Sequence, residues 1–261
     1  MSFDPPTDPP RFDPRTNPAR FDSRAGDYAK YRPSYPAAAI DAIFAGLGDP
    51  ASLTVLDVGA GTGISTQLLA ARGARVTGLE PNAEMRASAE SAGLSMRDAH
   101  ADDLGVPAAS VDLITSFQSF HWFANAATIA EFARALRTGG RVAIVWNERD
   151  DEDPFTRAYG EIVDGFSDRM ALQGIRNGSE LVGSLLREGG FTNVGLATFP
   201  NGQRLDHAGL LGRVRSTSYA PREGEAYATM RAALDAAFER YARDGKVEIF
   251  YRTDVFSGDK A

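Results

Sequence analysis

The sequence has no cysteine among its 261 residues, and only three histidines. This excludes a disulfide scaffold, a cysteine-ligated zinc or iron–sulfur site, and a thiol nucleophile. Residues 1–20 contain no apolar run of the length that a signal peptide or a membrane span needs, so we expect a cytoplasmic protein without a membrane partner. The formal net charge is −7, which disfavours broad electrostatic binding to nucleic acid.

Proline is concentrated at the start of the chain, where six of the 14 prolines fall within the first 18 residues. Such a stretch loses backbone donors and has little to bury, so we expect residues 1–24 to form a flexible arm. The remaining length predicts one domain over residues 25–256 with an inserted cap over about 150–222, followed by a short tail, 257–261. The expected assembly is a monomer or a homodimer.

Short β-rich runs alternate with helical patterns from residue 53 onward. This alternation is typical of an α/β fold with parallel strands and right-handed crossovers. We predict a Rossmann-like, seven-stranded, mostly parallel sheet with helices on both faces. The predicted strands are residues 53–58, 74–79, 94–97, 111–117, 141–147, 191–199 and 246–252.

A glycine-rich turn, Gly59–Gly63, follows the first predicted strand and opens a predicted helix. Glycines in such a turn let the backbone approach a ligand closely, and the helix N-terminus offers free N–H groups to a carboxylate or a phosphate. Glu80 ends the second predicted strand, where an acidic side chain accepts hydrogen bonds from a ribose diol. Together these features favour a ligand of the adenosine type.

The spacing of the glycines narrows the choice of ligand. A dinucleotide fingerprint needs glycine or alanine at the sixth position, where Ile64 or Thr66 stands here, and no P-loop motif occurs. Asp57, just before the loop, suits an ammonium group better than a pyrophosphate, because a second negative charge would be repelled. S-adenosylmethionine has that ammonium group, a carboxylate for the loop and a ribose for Glu80.

Several motifs resemble known methyltransferases. The run Val55-Leu-Asp-Val-Gly-Ala-Gly-Thr-Gly63, with Glu80-Pro-Asn82, resembles the class I S-adenosylmethionine-dependent methyltransferases. Four further segments resemble a small-molecule branch that includes the trans-aconitate methyltransferase-like proteins; they are residues 28–36, 120–123, 146–147 and 216–219. The resemblance covers about residues 21–255.

The resemblance implies a role for each matched residue around the cofactor. Asp57 and the glycine loop would hold the methionine end, Glu80 the ribose, and the residues after the second and third strands the adenine. Gln118 would lie under the sulfonium, and an N-terminal segment would close over the cofactor. The implied cofactor-binding residues are Tyr28, Arg32, Asp57, Gly59, Ala60, Gly61, Gly63, Glu80, Pro81, Met85, Asp98, Ala99 and Gln118. His100 stands where relatives often have an acidic residue.

Substrate contacts are expected from aromatic and imidazole side chains at the same edge of the sheet. His121, just after the fourth strand, is a candidate general base, or else a wall residue that orients the substrate. Trp146 is equally compatible with the pocket wall and with packing against a helix. The predicted substrate-binding residues are Tyr35, His121, Trp122, Trp146 and Tyr219.

The expected activity is methyl transfer to a small molecule by in-line displacement without a metal. The acceptor is a carboxylate, a hydroxyl, an amine or an activated carbon. Two alternatives stay open: the same cofactor pocket serves chemistry other than methyl transfer, or the protein binds S-adenosylmethionine without turnover. An arginine of the predicted cap facing the pocket would indicate an anionic substrate; the candidates are Arg204, Arg213 and Arg215.

Overall fold

A computed structural model describes residues 31–166, 181–217, 220–221 and 223–261. The predicted arm, together with Tyr28 and Tyr219, lies outside the described residues. The expectations placed on them therefore stay predictions.

The described residues form one mixed sheet with the strand order β3-β2-β1-β4-β5-β7-β6. The first five strands in this order are mutually parallel, and β7 runs antiparallel to both β5 and β6. The predicted fold class is confirmed. The strands are β1 Thr54–Val58, β2 Arg75–Leu79, β3 Met96–Arg97, β4 Val111–Phe117, β5 Leu136–Arg149, β6 Phe191–Leu205 and β7 Val247–Lys260.

Helices follow most of the strands, and several begin at a side-chain cap. Asn82 accepts a hydrogen bond from the backbone N–H of Met85, as the sequence predicts, and Asn125 caps its helix in the same way. The helices are α1 Ala37–Phe44, α2 Ile64–Ala70, α3 Ala83–Ser91, α4 Ala126–Ala135, α5 Pro154–Gly165, α6 (described over 181–188), α7 His207–Arg215 and α8 Gly224–Tyr241.

The central strands are buried on both faces, because successive side chains of a strand point to opposite sides of the sheet. Leu56 and Ile114 belong to the core that packs against α4 and α6. Their neighbours Val55 and Leu113 belong to a second core, which packs against α1 and α2. The sheet lies between these two layers. Because β1 to β5 are parallel, their carboxyl ends form one edge of the sheet.

A third core lies beyond the sheet. The β6–β7 pair continues past the end of β5, so that Leu205 pairs with Val247. Helices α5, α7 and α8 pack together on this extension. We call these three helices and the extension the helical cluster.

The helical cluster differs from the predicted cap. Residues 150–222 are not one insertion, because β6 lies within them and is hydrogen-bonded into the sheet, whereas α8 lies outside them. The predicted tail is also incorporated in the sheet, since β7 continues to Lys260. The sequence does not indicate that the strand extends to Lys260, because β7 ends in Gly258, Asp259 and Lys260, residue types that are depleted in strands.

Candidate active site

A cavity of about 510 Å³ opens at the carboxyl edge of the sheet. It lies where the strand order reverses between β1 and β4, which is the place where open α/β sheets bind ligands. Its volume is typical of a small-molecule or cofactor site. The lining residues follow four parallel strands: Val58, Gly59 and Gly61 after β1; Glu80, Pro81, Asn82 and Met85 after β2; Asp98, Ala99, His100, Ala101 and Asp102 after β3; Phe117, Gln118, Ser119, Trp122, Phe123, Asn125 and Thr128 from β4 to α4.

The glycine loop between β1 and α2 has the conformation that only glycine adopts easily. Gly59, Gly61 and Gly63 all have positive φ, at 70°, 57° and 83°. A Cβ at Gly59 would lie 2.5 Å from Oγ of Ser119, and a Cβ at Gly63 would lie 2.3 Å from a methyl group of Leu94. The loop therefore presents bare backbone to the cavity, since a side chain would clash at Gly59 and a positive φ favours glycine at Gly61. Gly59 and Gly61 line the cavity, whereas Ala60 and Gly63 do not.

Glu80 holds the glycine loop from the end of β2. Its Oε2 accepts a hydrogen bond from the N–H of Gly61 at 3.0 Å, and its Oε1 accepts one from the N–H of Asn82 at 2.9 Å. Burial raises the pKa of the carboxyl group, and the two N–H donors oppose that shift. Each carboxylate oxygen has a second lone pair, so the group keeps acceptor capacity toward the cavity.

Asp57 lies beneath the loop and not in the cavity wall. Its carboxylate is fully buried and accepts hydrogen bonds from the hydroxyl groups of Ser65 (2.6 Å), Thr66 (2.7 Å) and Thr115 (2.9 Å). Burial raises its pKa, and the three hydroxyl donors lower it in part. The side chain thus braces β1 against α2 and β4, directly beneath the glycine loop.

One side of the cavity is formed by residues after β2 and β3, to which the sequence assigns the adenine contacts as a prediction. Pro81, Met85, Asp98 and Ala99 all line it, and His100 stands beside them. The Asp98 carboxylate is largely exposed and lies 3.1 Å from the guanidinium of Arg86. The Asp98 carboxylate therefore lies at the rim of the cavity, where it forms an ion pair with Arg86.

Gln118 lines the cavity directly after β4 and has a strained backbone. Its φ is +55°, which is uncommon for a residue other than glycine. Its Nε2 donates to the carbonyl oxygen of Asn147 at 3.1 Å, and its backbone N–H donates to that of Val145 at 2.9 Å. Two contacts with β5 therefore fix this residue at the carboxyl end of β4, in the cavity wall.

His121 lies behind Trp122, whose ring lines the cavity 4.5 Å from the imidazole. Both ring nitrogens of His121 are buried and have no hydrogen-bond partner among the described residues. Burial, and then the positive charge of Arg32, lower the pKa of His121 to about 3. The imidazole is therefore uncharged at neutral pH, with an unused lone pair.

Three further predicted site residues lie outside the cavity wall, in addition to Asp57, Ala60, Gly63 and His121. Trp146 is 1% exposed and packs edge-on against Phe120 and Phe256, in the core and not in the cavity wall. Tyr35 packs against Phe117 on the other face of the sheet, with ring centroids 4.7 Å apart. Arg32 donates to the carbonyl oxygen of Ser216 at 3.1 Å, near the end of α7.

Some lining residues carry no motif that sequence reasoning could use. Ser119, Asn125 and Thr128 come from the turn after β4 and the first turn of α4, and Asp102 comes from the loop after β3. Asn125 is recognisable in the sequence only as a helix cap. Their placement at the ends of parallel strands is the one signal that points to them.

Two further properties concern metals and membranes. Among the described residues, no group of three or more aspartate, glutamate or histidine side chains is arranged to hold a metal ion. No helix in the described part of the chain is both long and apolar enough to cross a membrane.

The sequence is similar to methyltransferases. Residues 56–144 match the model of a family described as a methyltransferase domain. An uncharacterized methyltransferase of Mycobacterium tuberculosis is 39% identical over 155 residues, which are 56% of this chain and 61% of the relative. A methyltransferase-like protein of Schizosaccharomyces pombe is 31% identical over 140 residues, which are 52% of this chain and 55% of the relative. The chain thus spans less than two thirds of these relatives.

Solved structures share the fold. A protein of Anaeromyxobacter dehalogenans described as a type II methyltransferase aligns with a TM-score of 0.65 at 22% identity, covering 88% of this chain and 98% of that one. A phosphoethanolamine N-methyltransferase of Haemonchus contortus, solved with S-adenosylhomocysteine, aligns with a TM-score of 0.56 at 16% identity, covering 95% and 58%. These solved structures therefore show the Rossmann-like fold of the chain, and the match of residues 56–144 shows its similarity to a methyltransferase domain.

Proposed function

We propose that the protein transfers the methyl group of S-adenosylmethionine to a small-molecule acceptor. The observation that carries this proposal is the pairing of Glu80 with the N–H of Gly61 in one cavity, since it joins a ribose acceptor to a loop of bare backbone. The matched methyltransferase domain, which spans this loop and this acid, supports the same cofactor.

The cavity fits the chemical groups of this cofactor. Gly59 and Gly61 present bare backbone to the cavity, Glu80 keeps acceptor capacity for a diol, and Met85 and Pro81 offer apolar surface for a base. Asp98 offers an acceptor for an exocyclic amino group. S-adenosylmethionine supplies an electrophilic methyl group on a sulfonium, so the chain has only to align the acceptor and exclude water.

The acceptor is proposed to lie between the cavity and the helical cluster, near His121 and Arg32. With a pKa near 3, His121 is a weak proton acceptor, so we assign it the role of orienting the acceptor through its unused lone pair. An acceptor that ionises by itself, such as a carboxylic acid, needs no base.

Two arginines, the buried Arg213 and the half-buried Arg32, favour an acidic acceptor over an amine. Arg213 is 8% exposed and donates to the Thr217 hydroxyl at 3.1 Å. Both Arg213 and Arg32 contact Ser216, so two positive charges converge there. Positive charge near Ser216 disfavours the binding of a protonated amine and favours the binding of a carboxylate.

The cofactor is tested by calorimetric titration with S-adenosylhomocysteine. We expect micromolar affinity, lost in Glu80→Ala, whereas tight binding of a nicotinamide dinucleotide in its place would overturn the proposal. Asp49→Ala is the control, because Asp49 caps a short turn before β1, at the edge of the sheet opposite the cavity, and its side chain accepts a hydrogen bond from the N–H of Ala51.

The reaction is tested with a labelled methyl group. A panel of acids, phenols and amines is incubated with the protein, and release of S-adenosylhomocysteine and the product mass are followed. Methylation of acids supports the proposal. Cofactor consumption without label in the product would indicate other chemistry, and binding without consumption for any acceptor would indicate a binding protein.

A further inference from the structure

Asn147, near the end of β5, joins four separate parts of the structure. Its side-chain Nδ2 donates to the carbonyl oxygen of Ser34 at 3.2 Å. Its Oδ1 accepts from the hydroxyl of Thr253 at 2.5 Å and from Nδ2 of Asn201 at 3.1 Å. Its backbone carbonyl accepts from Gln118 at 3.1 Å. One residue thus contacts the cavity, β6, β7 and the segment before α1.

The cavity end of this network is Gln118. Gln118 lines the cavity just after the end of β4, where its backbone is left-handed. Its side chain is held by the hydrogen bond to the carbonyl oxygen of Asn147. A ligand that contacts Gln118 acts on the Asn147 peptide through this bond.

The other end is the segment 31–36, which we call the strap. The strap is largely without regular structure and is held by its carbonyl groups. The carbonyl of Ser34 accepts from Asn147 and, at 2.8 Å, from Asn201. The carbonyl of Tyr31 accepts from Gln203 at 2.9 Å, and its ring lies so close to Gly212 of α7 that a Cβ there would be 2.4 Å away. The strap also carries Arg32, beside His121.

We propose that Asn147 is a positioning residue that couples occupancy of the cofactor cavity to the placement of the strap, and hence of Arg32, over the acceptor side. This inference rests on the proposed function. Coupling of this kind is reciprocal, so a well-placed strap strengthens ligand binding by the same factor by which the ligand orders the strap.

Amide hydrogen exchange of the strap tests the coupling, with S-adenosylhomocysteine as the probe. In the wild type we expect saturating ligand to slow exchange of the strap amides by about fivefold or more, a factor at the lower end of ordinary allosteric coupling. In Asn147→Ala we expect less than a twofold change at the same saturation. A purely structural role of Asn147 would raise exchange with and without ligand alike and leave the ligand-dependent factor unchanged.

Two further variants separate the connections. Thr253→Val removes one contact of Asn147 but leaves its bonds to Ser34 and Gln118, so the ligand-dependent factor should persist. Gln118→Asn breaks the cavity end with a residue that tolerates a left-handed backbone, and should abolish the factor even if Asn147→Ala does not fold.

The outcomes distinguish the inference from the function beneath it. If S-adenosylhomocysteine binds but the strap amides do not respond, or respond equally in Asn147→Ala or in Gln118→Asn, the coupling is refuted and the proposed function stands. If the wild type does not bind S-adenosylhomocysteine, the proposed function fails, and the coupling fails with it.

Discussion

Oε2 of Glu80 and the backbone nitrogen of Gly61 are 3.0 Å apart and share a hydrogen bond. This bond connects the end of β2 to the glycine loop that follows the neighbouring strand β1. The acid proposed to hold the ribose therefore also sets the shape of the loop proposed to hold the methionine end. A substitution here acts on ligand contacts and on loop geometry together.

Glu80→Ala should weaken S-adenosylhomocysteine binding by more than about 100-fold, because hydrogen bonds to a charged group contribute about 1.5–3 kcal/mol each and two ribose bonds are lost. Glu80→Gln keeps one acceptor oxygen and should lose only about tenfold. Calorimetric titration measures both. Equal losses in the two variants would mean that the negative charge, and not the acceptor geometry, binds the ligand.

Gly59→Ala should disturb the loop from within. The new Cβ would meet Ser119 at 2.5 Å, in a backbone with φ of +70°, where a left-handed residue with a side chain costs about 1–2 kcal/mol before any clash. We expect a free energy of unfolding lowered by about 2 kcal/mol or more, together with weaker ligand binding.

Gly165→Ala is the matched control for this prediction. Gly165 ends α5, it is absent from the glycines with positive φ, and a Cβ there would meet no atom of the described residues within 4 Å. Urea denaturation should show a change of at most about 0.5 kcal/mol for this variant. A similar loss in both variants would contradict the special role of position 59.

How far the sequence predicts the site depends on how local each signal is. The glycine loop, the cap at Asn82 and the acid at Glu80 are each written within one strand–turn–helix unit, and the structure brings them together. Trp146 illustrates the limit: on a strand buried on both faces, alternation gives no distinction between pocket wall and core.

The strap network lies beyond sequence reasoning for a different reason. Its bonds join Ser34 to Asn147 and Asn201, which are 113 and 167 positions away. Asparagine side chains bind backbone carbonyls in many contexts, so neither asparagine is a signal by itself. The antiparallel pairing of β5 and β6 with β7 brings Asn147 and Asn201 close to each other.

Trp146→Phe tests the corrected position of Trp146. Since the chain has two tryptophans, this variant leaves Trp122 as the single one. We expect a loss of about 1–2 kcal/mol in the free energy of unfolding, from reduced packing against Phe120 and Phe256, with ligand affinity unchanged within about twofold.

Tryptophan emission then separates the two positions. The response to S-adenosylhomocysteine should persist in Trp146→Phe and disappear in Trp122→Phe, because Trp122 lines the cavity and Trp146 does not. Loss of the response in Trp146→Phe would indicate that Trp146, and not Trp122, reports ligand binding.

His121 makes the stability of the fold depend on pH. Its pKa is about 3 in the folded protein and near 6.5 when exposed, so below pH 6.5 the unfolded chain binds a proton that the folded chain refuses. Stability contributed by the neutral imidazole is therefore complete above pH 6.5 and is lost progressively as the pH falls toward 3. One pKa unit corresponds to about 1.4 kcal/mol, so the expected loss between pH 7 and pH 5 is about 2 kcal/mol.

His121→Gln isolates this effect from the carboxylates that titrate over the same range. Glutamine does not titrate in this range. Lowering the pH from 7 to 5 should therefore reduce the free energy of unfolding of the wild type by about 2 kcal/mol more than that of the variant. Urea denaturation at both pH values measures it. A difference that stays constant with pH would mean that the imidazole is solvated in the folded protein, and the proposed placement of the acceptor beside a dry, uncharged His121 would fall.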